Sequence, residues 1–225
     1  MMVIVDYNAG NPTSVKRALG ALGIESTVSP DAGVVRDAER IIFPGVGHAR
    51  STMAVLVERG LDRALADAFR RGTPILGICV GAQLSLSYSE EGETTCLGLV
   101  PGRVRRFPEL PQGLKVPHMG WNRVVVKRPH PLLDGLPPNN EFYFVHSYYL
   151  EPAYPEQVLA TTEHGIEFAS AFACDNFAAV QFHPEKSGPL GLSVLERFAH
   201  WVPSISTSSS TSSSAAGSSA VGSTC

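Results

Sequence analysis

The sequence is short of charge, of cysteine and of long apolar runs, and each shortage removes a class of function. Charged residues are 17% of its 225 residues and nearly cancel, leaving a formal net charge of -3 and a pI near 6.2. Without a basic excess there is no broad nucleic-acid-binding surface. The longest uncharged stretch before the C-terminal tail, Gly72 to Ser89, is interrupted by Pro74, several glycines, Gln83 and serines, so no membrane span is expected. There are four cysteines, Cys79, Cys96, Cys174 and Cys225, and none stands in C-x-x-C spacing. That speaks against a zinc knuckle or a disulfide framework, and no metal is expected. At most one thiol is expected to carry chemistry; Cys96, Cys174 and Cys225 receive no role. The N-terminus reaches Asp6 before any basic residue and so lacks the charged region of a signal peptide, which reads as a cytoplasmic protein.

The first half alternates short apolar runs with helical periods. Strands are expected at Met2 to Asp6, Ile24 to Ser29, Arg40 to Phe43 and Pro74 to Ile78, with helices at Pro12 to Leu22 and Arg50 to Arg71. That rhythm predicts a parallel sheet. Asn11 before Pro12 reads as an N-cap and first helical residue, and Gly23 as the stop. From Arg103 the pieces become strand-like and separated by Pro, Gly and Asn: Arg103 to Phe107, Asn122 to Lys127, Phe142 to Val145, Gln157 to Thr162, Ile166 to Ala173 and Phe177 to Phe182. These predict an antiparallel addition and a return to the main sheet. A last amphipathic helix is expected over Gly188 to Trp201, with Leu192, Leu195, Phe198 and Ala199 on its apolar face. The fold class is therefore α/β, an open, mainly parallel sheet flanked by helices with a small antiparallel sheet added. One domain is expected over residues 1–202. Residues 203–225 hold 11 Ser and 3 Thr among 23 residues and no charge, and read as a disordered tail or an appendage foreign to the domain.

The sharpest motif is Gly77-Ile78-Cys79-Val80-Gly81, which ends an apolar strand and opens a helix. A nucleophile elbow needs small residues two before and two after the nucleophile, because both positions meet neighbouring backbone. Unpaired amides at a helix start suit an anionic sulfur, so Cys79 is the candidate nucleophile; taken alone it could equally be a buried core cysteine. Such a nucleophile needs a base and a group to orient it, and His183-Pro184-Glu185 supplies both at the end of another expected strand. Histidines at strand ends often only cap loops, the reading preferred for His130, His164 and His200. An oxyanion hole in this architecture takes one donor from the residue after the nucleophile, here Val80, and one from another loop. Pro44-Gly45-Val46-Gly47, after the strand Ile41-Ile42-Phe43, is the candidate, with Val46 and Gly47 named; alone it is also an ordinary glycine-rich turn.

With these residues the chain resembles the class I, triad-type glutamine amidotransferases. Pro44-Gly45-Val46-Gly47, Pro117-His118-Met119-Gly120-Trp121-Asn122, Phe144-Val145-His146-Ser147-Tyr148 and Gln181-Phe182-His183-Pro184-Glu185-Lys186-Ser187 are similar in particular to the glutaminase subunits of imidazole glycerol phosphate synthase. The likeness runs from about Met2 to Trp201. It implies that fold, a Cys79-His183-Glu185 triad acting on glutamine without a cofactor, and a heterodimer with a cyclase (β/α) barrel that receives the ammonia. It further implies that Gly47, Gln83, Glu91, Ser147 and Tyr148 contact glutamine, and that Asn11, Trp121, Tyr143 and Lys186 face the partner. On their own, Gln83 reads as a helix-surface amide, Glu91 as a solvated acid and Trp121 as core. Asn8 stands where the family has Gly, and Val80 and Ala82 where it has Leu and Met; Asn tolerates positive φ, and an amide at 80 does not depend on its side chain. A glutaminase of anthranilate or pyridoxal phosphate synthesis, or a non-catalytic module of this fold, are the alternatives.

Overall fold

The computed structural model describes residues 1–8 and 11–203. Elements run β1 (Met2–Val5), α1 (Pro12–Ala21), β2 (Ser26–Ser29), α2 (Ala32–Arg36), β3 (Arg40–Gly45), α3 (Ala49–Glu58), α4 (Leu61–Arg70), β4 (Ile75–Cys79) and α5 (Val80–Leu84). They continue with β5 (Tyr88–Ser89), β6 (Thr94–Thr95), β7 (Gly102–Arg106), β8 (His118–Asn122), β9 (Val125–Val126), β10 (Phe142–His146), β11 (Tyr148–Pro152), β12 (Val158–Glu163), β13 (Glu167–Cys174), β14 (Phe177–Val180) and α6 (Gly188–His200). Strands β2-β1-β3-β4-β14 pair in parallel, and the sheet continues through β13-β11-β7-β5-β6, antiparallel from β14 to β7, with β12 paired to β13 and β9 to β12. β8 and β10 form the expected small antiparallel sheet. No helix among the described residues is long and apolar enough to cross a membrane. Of the tail expected over 203–225, all but Pro203 lies outside the described residues.

The parallel strands read as unbroken apolar runs because both faces are covered. β4 and β14 are buried throughout, and β3 is buried beyond Arg40. Their register positions everything that follows. Gly45 pairs with Cys79 across β3 and β4, and Val180 pairs with Ile78 across β14 and β4, so three strands end level at one edge. Open α/β sheets bind ligands there, beyond the strands' carboxyl ends.

Several expectations are corrected. Arg50 to Arg71 is two helices, α3 and α4, because Gly60 turns into the left-handed region with φ 68°. The break lets α4 bury Leu61, Ala64, Leu65 and Ala68 as its own stripe. The strand expected over Asn122 to Lys127 is split between β8 and β9, because the Asn140 side chain takes both the N–H and the carbonyl of Val124 out of the ladder. α2, β5, β6, β11 and the His118 to Trp121 part of β8 lie outside the expected elements. In α6 the buried stripe is Gly191, Val194, Leu195 and Phe198, while Leu192 and Ala199 are half-buried. The helix is rotated toward Gly191 because it lies on the Pro184 carbonyl, which a Cβ at 191 would overlap. The cap of α1 is as expected: Asn11 Oδ1 accepts from the Ser14 N–H at 3.0 Å, and Gly23 has φ 71°.

The turn from β4 into α5 depends on its glycines by close approach. A Cβ at Gly81 would overlap the Phe43 carbonyl oxygen, and one at Gly77 would meet the Ala82 backbone at 2.9 Å. Neither obstacle is a side-chain tip that swings away. Gly81→Ala is expected to cost about 2–3 kcal/mol of stability through overpacking. A urea midpoint for Gly81→Ala equal to that of the unmutated chain contradicts this.

Candidate active site

Cys79 closes β4 and leads into α5 with φ 53° and ψ -109°. A positive φ outside glycine is strained, and it persists only where the surroundings fix it. Here the surroundings are the paired ends of β3 and β14. The strain turns Cys79 out of the sheet edge, and the residue, although only 3% exposed, lines a cavity of about 360 Å³. That size suits an amino-acid-sized ligand.

The β3 end brings the glycine loop alongside. Gly45 is the strand partner of Cys79, and Val46 and Gly47, the latter with φ 108°, pass into the cavity wall with Val80. The loop rests on Tyr7, whose phenol donates to the Pro44 carbonyl at 3.0 Å. Burial, then the nearby Cys79 and Asp6, push the Tyr7 pKa up, so the phenol stays a neutral donor. Asn8, next in the chain, has φ 63°, the positive value expected of it. Tyr7 escaped sequence analysis because nothing local shows that a tyrosine after β1 reaches the end of β3.

The β14 end brings the candidate base, His183. His183 Nδ1 donates to Glu185 Oε1 at 2.8 Å, and the two side chains are 2% and 3% exposed. His183 Nε2 is buried and has no hydrogen-bond partner. Burial alone would push the His183 pKa down. The Cys79 sulfur first, and then Glu185, outweigh it and raise the pKa to about 10. Ser187 clamps this segment, donating to the His183 carbonyl at 2.6 Å and accepting from the Tyr143 N–H at 3.0 Å. Its role was legible only as the last residue of the His183-Pro184-Glu185-Lys186-Ser187 run.

The cavity also gathers Gln83, Glu91, Ser147 and Tyr148, together with Pro117, Val145 and His146, which carried no expected role. Gln83 is not a surface amide. It is 4% exposed, and its Nε2 donates to the Tyr148 carbonyl at 2.9 Å and to Gln181 Oε1 at 3.1 Å. Glu91 is not simply solvated either: its Oε2 accepts from the Ala49 N–H at 2.7 Å, at the start of α3.

Of the expected partner-facing residues, three meet. Tyr143 and Trp121 are cross-strand neighbours on the outward face of β8 and β10, their rings 6.1 Å apart and edge to face. Lys186 Nζ stands 5.8 Å from the Tyr143 ring centre, and Trp121 is 55% exposed rather than core. Asn11 does not join them through its side chain, which is engaged at Ser14 as the cap of α1. His130 caps a turn as expected, accepting from the Leu132 N–H at 3.2 Å.

Comparison with known proteins shows the family. Residues 3–201 match the family described as glutamine amidotransferase class-I. Imidazole glycerol phosphate synthase subunit HisH of Nitratidesulfovibrio vulgaris is 50% identical over 204 residues, covering 88% of this chain and 95% of its own. The same subunit of Moorella thermoacetica is 48% identical over 202 residues, covering 89% and 95%. Among solved structures, PurLQS from Thermotoga maritima matches with a TM-score of 0.69 at 20% identity, over 88% of this chain and 97% of that one, a likeness of fold.

The His183 environment makes a titration testable. Its raised pKa rests on two neighbours, Cys79 and Glu185, acting against burial, so removing either one lets burial regain ground. In Cys79→Ala and in Glu185→Gln the imidazole is expected to lose its proton at lower pH than the value of about 10 in the native chain. Histidine NMR titration measures this, and a His183 pKa unchanged in Cys79→Ala contradicts the assigned cause.

Proposed function

Because the chain belongs to the class-I glutamine amidotransferases and, among them, to the HisH subunits of imidazole glycerol phosphate synthase, we propose that it hydrolyses glutamine for histidine biosynthesis through Cys79, His183 and Glu185. The observation that carries this reading is one edge of the sheet: a strained cysteine faces a cavity, with an unpartnered imidazole nitrogen buried behind it.

In this reading Cys79 sulfur attacks the side-chain amide carbon of glutamine. Charge develops on the amide oxygen, where the N–H groups of Val80 and of the Val46-Gly47 loop receive it. The imidazolium of His183 gives its proton to the nitrogen as the C–N bond breaks, releasing ammonia and leaving a thioester. His183 then takes a proton from water, the water oxygen attacks the thioester, and glutamate leaves as the C–S bond breaks. Glu185 holds the imidazole by Nδ1, so Nε2 is the atom that moves protons in both halves. Gln83, Glu91, Ser147 and Tyr148 hold the amino-acid end; one Glu91 oxygen is already committed to Ala49, and the other receives the substrate ammonium.

The ammonia passes to a cyclase (β/α) barrel partner in the cytoplasm. The patch of Trp121, Tyr143 and Lys186 supports this: two exposed or half-exposed aromatic rings and a cation lie on the segment that carries His183 and on the sheet bonded to it. Aromatic and cationic side chains of this kind anchor protein interfaces.

Glutamate release from glutamine tests the proposal, measured for the chain alone and with the barrel and its nucleotide ligand. Turnover is expected in the loaded pair, reduced by at least about 10³-fold in Cys79→Ala. A silent intact pair, or full turnover in Cys79→Ala, rejects it.

A further inference from the structure

The inward face of the small sheet carries a hydrogen-bond chain whose direction is forced. His146 and His118 are cross-strand partners on β10 and β8, 6% and 4% exposed. The Tyr148 carbonyl only accepts, so His146 Nδ1, 2.8 Å from it, carries the hydrogen. A neutral imidazole has one N–H, so His146 Nε2 accepts from His118 Nδ1 at 3.0 Å. His118 Nε2 then accepts from the Asn122 amide nitrogen at 3.1 Å. That amide is itself fixed, donating to the Glu163 carbonyl at 2.8 Å and accepting from the Arg123 N–H at 2.7 Å. Burial pushes the His118 pKa down to about 4 and that of His146 to about 3, which keeps both rings neutral.

The other end reaches the cavity. The Tyr148 carbonyl takes its second hydrogen bond from Gln83 Nε2, whose remaining hydrogen goes to Gln181 Oε1. Both Gln83 hydrogens are thereby used, and its oxygen is the group left for the cavity it lines. Gln181 in turn has its Nε2 3.7 Å from Cys79 Sγ.

We propose that His118 and His146 are positioning residues for substrate: through the Tyr148 carbonyl they hold the Gln83 amide with its oxygen toward the cavity, ready to accept from the ammonium group of glutamine. This rests on the glutaminase reading above. Neither histidine reacts with substrate. If the tautomer of His146 reverses, its Nδ1 no longer donates to Tyr148, and the carbonyl loses the partner that sets its direction.

Two measurements on the full chain test this separately. Long-range proton–nitrogen NMR of labelled histidine is expected to show the Nδ1–H tautomer for both His118 and His146; an Nε2–H tautomer or an imidazolium at either, at neutral pH, overturns the network. Inactivation by a diazoketone analogue of glutamine, which alkylates Cys79, resolves binding (KI) from the chemical step (kinact). His118→Leu is expected to raise KI about tenfold with kinact changed less than about threefold, as loss of one oriented hydrogen bond predicts. His118→Asn, whose amide nitrogen takes the place of Nδ1, is expected to return KI to within about threefold of the unmutated chain. Where leucine does not fold, His118→Gln serves, since its amide reaches the Nε2 place instead and is expected to raise KI likewise. An unchanged KI in these variants, or a loss confined to kinact, overturns the positioning role. An unmutated chain that is never alkylated, either alone or with the barrel and its nucleotide ligand, rejects the glutaminase reading and the role in substrate binding with it, whereas the tautomers report on the network alone.

Discussion

Gly45, Cys79 and Val180 come to one edge because β3, β4 and β14 are locked in register along their whole buried length. A slip of one residue would exchange the faces of an entire strand, and with apolar cover on both faces there is no exposed side to absorb it. The register therefore does three things at once. It sets the glycine loop beside the sulfur, drops His183 three residues beyond the end of β14, and leaves Cys79 no room to relax its positive φ. The site is a property of the sheet edge before it is a property of any single side chain.

Electrostatics at that edge is a balance of opposed terms. Burying an imidazole disfavours its charged form, and burying a carboxylate without partners would be costlier. His183 and Glu185 answer each other at 2.8 Å, and Cys79 supplies the larger push on the imidazole from the other side. The small sheet has the opposite arrangement. His118 and His146 have no carboxylate partner, burial prevails, and both stay neutral. Burial thus has opposite outcomes for His183 and for the pair His118 and His146. Proton transfer suits His183, and fixed hydrogen-bond direction suits the pair.

Much of this was legible in the sequence where the signal is local. Gly77 and Gly81 around Cys79, the cap at Asn11, and His183 with Glu185 two residues on each state a backbone or side-chain need within a few positions. What escaped depends on partners far along the chain. The split at Val124 is imposed by Asn140, and the face of α6 by the Pro184 carbonyl under Gly191. The break between α3 and α4 was written in Gly60, but a glycine within a continuing helical period is easily read through. Gln83 shows the limit most clearly. Its neighbours on a short helix gave no reason to bury an amide, and its partners Tyr148 and Gln181 lie 65 and 98 residues away. Only the resemblance pointed to it.

Glu91 ties the two halves of the proposed chemistry together. Its Oε2 receives the N–H of Ala49, one of the unpaired amides at the start of α3, where the helix dipole also favours negative charge. Ala49 stands two residues past Gly47, so the carboxylate proposed to face the substrate ammonium also anchors the trailing end of the glycine loop. Tyr7 anchors its leading end through the Pro44 carbonyl. Gly45 is held in its pairing with Cys79, so between these anchors Val46, Gly47 and His48 are the residues left to adjust. A ligand that draws on Glu91 therefore acts on the same short span that must present an amide to the oxyanion. In the proposed chemistry, substrate recognition and transition-state stabilisation share the Glu91 carboxylate, and a change in either is passed to the other through the short backbone of Val46, Gly47 and His48.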